Sequence, residues 1–320
     1  MDVKSRSAGL ARSISWKGSK QLFFISYLLA DRDLVDDCLR AYAYFRWSDD
    51  VIDLGLQSDA ERSAFAHRQE ELIRSFYSGE IPAPLSPEES MLGELISRDR
   101  EPDSGLHSFI RQFMWVLAFD ARRAGVVVSQ AELTEYTNRL AIAVMDGIQY
   151  FVGHDFPYPK PPDRILAVTG AHITHMLRDM RQDLAAGIIN ISRESIDAYG
   201  IDIADPDSDP FCAWVREWVG EARRNFKEGR GYIESLGVLR CKLAGIWYCA
   251  RFERVLDTIE RDGFRLRMEY HDRKELAAWL EMGWLGMKTI GRHVFSRPSV
   301  RSRKHGPENP EPSSTKIDNV

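Results

Sequence analysis

Cysteine is scarce in this 320-residue chain, limited to Cys38, Cys212, Cys241 and Cys249 with no CxxC pair. That excludes a disulfide-stapled secreted scaffold and a thiolate zinc site, and fits a reducing compartment. Excess basic charge is lacking too. With 43 Lys and Arg against 48 Asp and Glu, the net charge is −5 and both signs are spread along the chain. No basic field is available to hold a nucleic-acid backbone, so nucleic acid is excluded as a partner. Long apolar runs are absent as well. Residues 22–30 are far too few to span a bilayer and are followed by Asp31, Arg32 and Asp33 rather than a cleavage site. The chain therefore reads as soluble, leaderless and cytoplasmic, and the sequon at Asn190, Ile191 and Ser192 as chance. Sustained apolar–polar alternation and internal repeats are also missing, which excludes a β-sandwich and a solenoid.

What is present is helical periodicity. Apolar residues return at spacings of three and four: Leu34, Val35, Cys38, Leu39, Tyr42 and Phe45; Leu133, Tyr136, Leu140, Val144 and Ile148; Trp247, Ala250, Phe252, Leu256 and Ile259. Proline and glycine clusters at 79–87, 101–105, 157–162 and 200–210 punctuate the pattern. These features predict one all-α domain over 19–296, built of about eight to ten helices. Residues 1–18 are polar and serine-rich, and 297–320 carry Pro298, Pro307, Pro310 and Pro312 among charges, so both ends are expected to be loose.

Several of these helices are apolar nearly all round, and the polar residues on them become informative. Asp49 and Asp53 lie four apart, on one helix face, with Arg46 one turn before them and Tyr42, Phe45, Trp47, Val51 and Ile52 around them. Like charges at that spacing repel, and enclosure raises the cost. A solvated helix face is the bland account of one such pair. A second pair, Asp179 and Asp183, follows His172 and His175 on one stripe, flanked by Arg178 and Arg181. Two pairs, each beside arginine and each in an apolar helix, favour a joint role. Opposed across a cavity, they would hold a diphosphate bridged by Mg2+, which prefers oxygen ligands and phosphate partners. A metal-bound diphosphate is a good leaving group, so the implied chemistry is ionisation of an allylic diphosphate inside a water-excluding wall. Phe23, Phe24, Tyr27, Tyr42, Phe45, Tyr136, Tyr150 and Phe252 are the candidate ring faces for the resulting cation. His172, His175 and Asp179 could also reach one zinc ion, but no further ligand can be placed, and histidines on a helix face are more often pocket or core residues.

The stretches from Tyr44 to Asp53 and from Leu177 to Asp183 resemble the two aspartate-rich motifs of the squalene/phytoene synthase family. Phe119 with Asp120, Glu132 and Leu133 with Tyr136, and the stretch from Ile259 to Phe264 add to the likeness. The resemblance implies an isoprenoid synthase fold whose helices surround a central cavity. It also implies a prenyltransferase that couples farnesyl or geranylgeranyl diphosphate head to head to a squalene- or phytoene-type product. On this resemblance Asp49, Asp53, Asp179 and Asp183 bind magnesium with the diphosphate. Arg46, Arg178 and Tyr42 contact diphosphate, Tyr136 lies near the reacting chain, and Ser19 and Lys20 fall in a phosphate-contacting segment. Departures are present. His172 and His175 replace a glutamine and a metal-ligating asparagine, which makes His172 a substrate contact and His175 a metal ligand here. Phe252 stands for a common tyrosine, and residues 188–190 read Ile, Ile and Asn in place of an arginine and a tyrosine. Ile142 and Met145 replace small residues and are expected to shorten the prenyl tunnel. The alternatives are a terpene cyclase, transfer to another acceptor, or a non-enzymatic assembly factor. Use of NADPH is left undecided, and the apolar product implies peripheral contact with a membrane.

Overall fold

In a computed structural model of the protein, residues 3–56, 58–99, 101, 103–270 and 276–295 are described. Their architecture is all-α, with twelve α-helices among the described residues. Serines start many of them. Ser58, Ser86 and Ser129 each form a reciprocal capping box with the glutamate three residues on, which fixes where α4 (Asp59–Tyr77), α5 (Pro87–Ile96) and α7 (Gln130–Phe151) begin. The expected breaks fall where the proline and glycine clusters stand: between α4 and α5, between α5 and α6 (Gly105–Asp120), before α8 (Leu166–Ala185), and between α9 (Arg193–Tyr199) and α10 (Asp209–Ser235).

One expectation is overturned. Residues 3–18, read as loose, form helix α1 (Val3–Gly18). Its buried stripe is Ser7, Ala11 and Ser15, four apart, laid on α3 (Val35–Asp50). Ser7 Oγ accepts from Arg40 Nε at 3.0 Å, and Ser15 Oγ donates to the Leu39 carbonyl at 3.3 Å. A stripe of small residues, two of them serines, gives little hydrophobic period, yet it lets two helices approach closely and satisfies a buried arginine. The other terminal expectation, for 297–320, falls outside the described residues. With α1 and the short α9 included, the helix count exceeds the eight to ten expected.

Glycines set the closest helix contacts. A Cβ on Gly229 of α10 would lie 2.3 Å from the Ala167 nitrogen, and one on Gly170 would lie 2.9 Å from the Ala222 carbonyl oxygen, so α8 and α10 touch backbone to backbone. Around that contact Ile173, Leu177, Met180, Phe211, Trp214, Phe226, Leu256 and Ile259 form the largest core cluster. This packing fixes α8, which carries the second acidic pair. Helix α11 (Leu239–Arg261) closes the same side and itself supports α2 (Lys20–Leu29) and α12 (Leu276–Phe295). No helix among the described residues is long and apolar enough to cross a membrane.

Candidate active site

The first acidic pair sits where α3 changes its winding. Asp49 is in the last turn of the α-helix, and Asp53 is in a π-helical turn, Val51–Gly55. Such wider turns are common at functional sites because they re-aim side chains off the regular spiral. Arg46 is ion-paired with Asp50 and lies 3.6 Å from Asp49. Among the described residues, Asp53 accepts no hydrogen bond. Loss of water, then Asp53 and Asp120, pushes Asp49 up to about 7, and loss of water followed by Asp120 raises Asp53.

The second pair, on α8, is split in character. Arg178 grips Asp179 through two bonds of 2.6 Å, and His175 Nε2 lies 2.9 Å from its Oδ2. Burial opposes the charge of Asp179, but these donors outweigh it and hold the carboxyl well below its ordinary value. Asp183 behaves in the opposite way. Burial, then Asp179, pushes it up to about 6, against a hydrogen bond from Asn190 Nδ2 at 2.8 Å, and Asp53 adds to the rise. Asp53, in the turn after α3, is thus one of the like charges that act on Asp183 of α8.

Between the two pairs runs a polar network whose roles the sequence did not disclose. Arg123, 9% exposed just beyond α6, donates to Asp120 Oδ1 at 2.6 Å and to Asn190 Oδ1 at 2.6 Å. Asp120 also accepts from the Tyr136 hydroxyl at 3.2 Å, and the Arg123 guanidinium lies 4.8 Å from the centre of the Tyr136 ring. Arg123 is thus the buried cation among Asp120, Asp53 and Asp183. The spacing of Asp120 and Arg123 at the end of an apolar helix was a signal for a buried pair. Asn190, by contrast, read as part of a chance sequon and of a segment, 188–190, that lacks an arginine and a tyrosine.

The remaining predicted residues divide. Tyr136 is buried, its ring 5.4 Å from that of His172. Burial, then His175 and Arg123, lowers His172 to about 3, which keeps the imidazole neutral, and its Nδ1 is buried without a partner. Phe252 is buried 5.0 Å from Tyr248 and 6.2 Å from His175. Ser19 caps α2 by accepting from the Leu22 amide at 3.2 Å, while Lys20 lies 5.2 Å over the exposed Trp16 ring. The junction of α1 and α2 presses on Tyr42: a Cβ on Gly18 would lie 2.8 Å from the Tyr42 hydroxyl. Gly18, next to Ser19 in the chain, is thus the point where this junction meets Tyr42 and Arg46.

Several expected wall residues are elsewhere. Phe45 and Tyr150 belong to a separate core with Leu39, Met91 and Ile110. Phe24 and Tyr27 are exposed. Ile142 lies on the outer side of α7, in a surface groove with Gln112, Glu135, Asn138 and Arg139, rather than in a tunnel. Met145 does face inward, onto an apolar cavity of about 20 Å³ that also touches Ala167, Val168, Gly245, Tyr248 and Cys249.

As donors for a hard cation, the oxygens of Asp49, Asp53 and Asp183 are the suitable set, since each is destabilised by like charge. No three His, Cys, Asp or Glu side chains among the described residues already converge on one point, so water or substrate oxygens must complete such a site.

Residues 17–279 match the model of the squalene/phytoene synthase family. The chain belongs to that family. The match spans both acidic pairs and brings a prenyltransferase type of enzyme with it. No curated protein sequence matches. Among solved structures, the chain is similar to the squalene synthase HpnC from Alicyclobacillus acidocaldarius, with 19% identity, a TM-score of 0.64, and 82% of this chain and 95% of that one covered. It is also similar to a dehydrosqualene synthase in complex with ligand, with 14% identity, a TM-score of 0.67, and coverage of 90% and 97%. At these identities the likeness establishes the isoprenoid synthase fold.

Proposed function

We propose that the protein is a magnesium-dependent prenyl synthase that ionises an allylic prenyl diphosphate and joins it head to head to a second one, releasing diphosphate. The observation that carries this reading is that the two acidic motifs of one family, at the end of α3 and on α8, are joined by one polar network, in which Arg123 bonds Asp120 and Asn190 and Asn190 bonds Asp183. Farnesyl diphosphate is the simplest substrate, geranylgeranyl diphosphate the longer one, and a squalene- or phytoene-type hydrocarbon the product.

Asp49, Asp53, Asp179 and Asp183 would hold the metal, which when bound supplies positive charge to the departing diphosphate. His175, which already bonds Asp179, is the further candidate ligand. Arg46, Arg178 and Lys20 bring cations to the phosphate oxygens, and Ser19 and Tyr42 bring hydroxyls to the same rim. Tyr136 and Phe252 offer ring faces to positive charge developing on the chain. His172 stands beneath Tyr136 as a neutral imidazole, so it adds no charge that would repel that cation. The apolar product leaves at a membrane surface reached from the cytoplasm.

Incubation with farnesyl or geranylgeranyl diphosphate and magnesium, with and without NADPH, should release diphosphate and give a hydrocarbon of twice the chain length by mass spectrometry. NADPH distinguishes a reduced squalene-type product from a phytoene type. Release of diphosphate with only monomeric cyclic or alcohol products would instead assign a cyclase.

A further inference from the structure

Helix α12 meets the body of the molecule on one side only. There Trp247 Nε1 donates to the Met282 carbonyl at 2.9 Å, a Cβ on Gly286 would lie 3.3 Å from the Trp247 ring, and Thr289 is buried. The other side carries Leu280, Trp284, Met287, Gly291 and Val294, at successive steps of four, three, four and three. That alternation averages 3.5 residues, the period of the seam one helix offers to another. The four side chains of the seam are 58–68% exposed, and Ile290 and Phe295 beside them are exposed too. Lys288 and Arg292 stand along one edge and leave the seam itself without charge. Isolated exposed apolar residues are ordinary, but a continuous face of them marks an interaction surface.

Two observations tell what covers it. The first is empty room at two glycines: a Cβ on Gly283 or Gly291 would meet nothing within 4 Å, so no contact inside the chain calls for glycine, the poorest helix former after proline. The second is that the face reads alike in both directions from Met287. Three residues away on either side stand Trp284 and Ile290, four away Gly283 and Gly291, and seven away Leu280 and Val294. We infer that α12 pairs antiparallel with α12 of a second copy of this chain about a two-fold axis at Met287. Leu280 then meets Val294 of the other copy, and each Trp284 enters the gap that Ile290 and Gly291 of the other copy leave. A two-fold contact needs a surface complementary to itself, and this arrangement supplies it. A lipid surface has no such register and gains nothing from the two gaps. The area suffices as well: Leu280, Trp284, Met287, Ile290, Val294 and Phe295 together open roughly 700 Å² of side-chain surface, close to the about 800 Å² per partner of a standard interface. The inference rests on α12 alone and stands whatever reaction the protein catalyses.

Sedimentation velocity of the full chain over a range of micromolar concentrations should show a dimer that high salt does not dissociate, because the contact is apolar. Met287→Cys places a thiol on the axis and should cross-link to its own copy under mild oxidation. Leu280→Cys, about 20 Å from its own copy along the paired helices, should not, and the native chain with its four cysteines is the control. Gly291→Leu fills the gap for Trp284 while meeting nothing in its own chain, so it should weaken the dimer by roughly tenfold or more and leave the helical signal in far-UV circular dichroism at least as strong. A native chain that stays monomeric overturns the inference, and so do equal cross-linking at 280 and 287 or a dimer that Gly291→Leu does not weaken. A monomer that floats with lipid vesicles, and loses that binding when Trp284 becomes Glu, assigns the face to a bilayer and overturns it as well.

Discussion

Asn190 donates from Nδ2 to the Asp183 carboxylate at 2.8 Å, and its own amide oxygen accepts from Arg123 at 2.6 Å. One uncharged side chain thus couples a cation after α6 to an acid of α8. Asn190→Leu should remove both bonds, raise Asp183 further and lower turnover by roughly ten- to a hundredfold, the equivalent of about 1–3 kcal/mol for an unsatisfied buried partner. Arg123→Met goes further. It leaves the carboxylate of Asp120 buried without its cation and should cost about 3–5 kcal/mol of stability. Urea unfolding of both variants separates the two effects. Equal midpoints for Arg123→Met and the native protein would contradict the network.

Asp49→Asn and Asp183→Asn should each abolish diphosphate release while leaving the fold intact or slightly more stable, because each removes a proposed metal ligand and also a repulsion. Thermal unfolding and a coupled diphosphate assay check both halves. Near-native turnover in both variants removes the acidic pairs from the chemistry.

His175 bonds Asp179 from half-exposed surroundings, so His175→Asn should be tolerated by the fold. An amide oxygen suits a hard cation better than imidazole, and the variant should respond more steeply to magnesium relative to manganese. The check is activity titrated with each metal. An identical profile to the native enzyme places His175 outside the metal's ligands.

Met145 and Ile142 part company. Met145→Ala enlarges the apolar cavity beside Tyr248 and should shift activity toward longer prenyl chains, at a cost of about 2–5 kcal/mol in stability. Ile142→Gly should weaken α7 by about 1 kcal/mol through helix propensity and leave chain-length preference unchanged, since the side chain faces the outer groove. Competition between farnesyl and geranylgeranyl diphosphates, run below the unfolding temperature of each variant, decides it.

Asp31 ties three segments: it accepts from the Gly153 and His154 amides at 2.9 and 2.8 Å and is ion-paired with Arg240 of α11. Burial opposes its charge, but these donors prevail and the carboxyl lies below its ordinary value of 3.8. The stabilisation is therefore present above that value and is lost as pH falls through the lower folded-state value. Asp31→Asn should unfold at lower temperature than the native protein at neutral pH, and the gap should close in acid. A constant gap across the acid range would show that ionisation of Asp31 does not matter.

Local pattern was enough for the helical class, the breaks and the two acidic pairs. Periodicity of three and four, serine–glutamate caps and proline clusters are local, and a DxxxD spacing fixes a shared helix face without reference to any neighbour. The aspartate-rich motifs were also enough to point to the family. Other features depend on which helices meet. Helix α1 is held by Ser7, Ala11 and Ser15, small residues whose burial comes from packing on α3 and α5 and which form no large apolar stripe in the sequence. Ile142 and Met145 are three residues apart, yet only the packing of α7 against its neighbours sends one outward and the other into the core. Arg123 and Asp120 lie far along the chain from both motifs, and Asn190, seven residues after Asp183, joins them only through the fold. The close backbone contact of α8 and α10 at Gly170 and Gly229 helps to place Asp183 where the donor chain from Arg123 reaches it, a relationship between distant residues that no local pattern encodes.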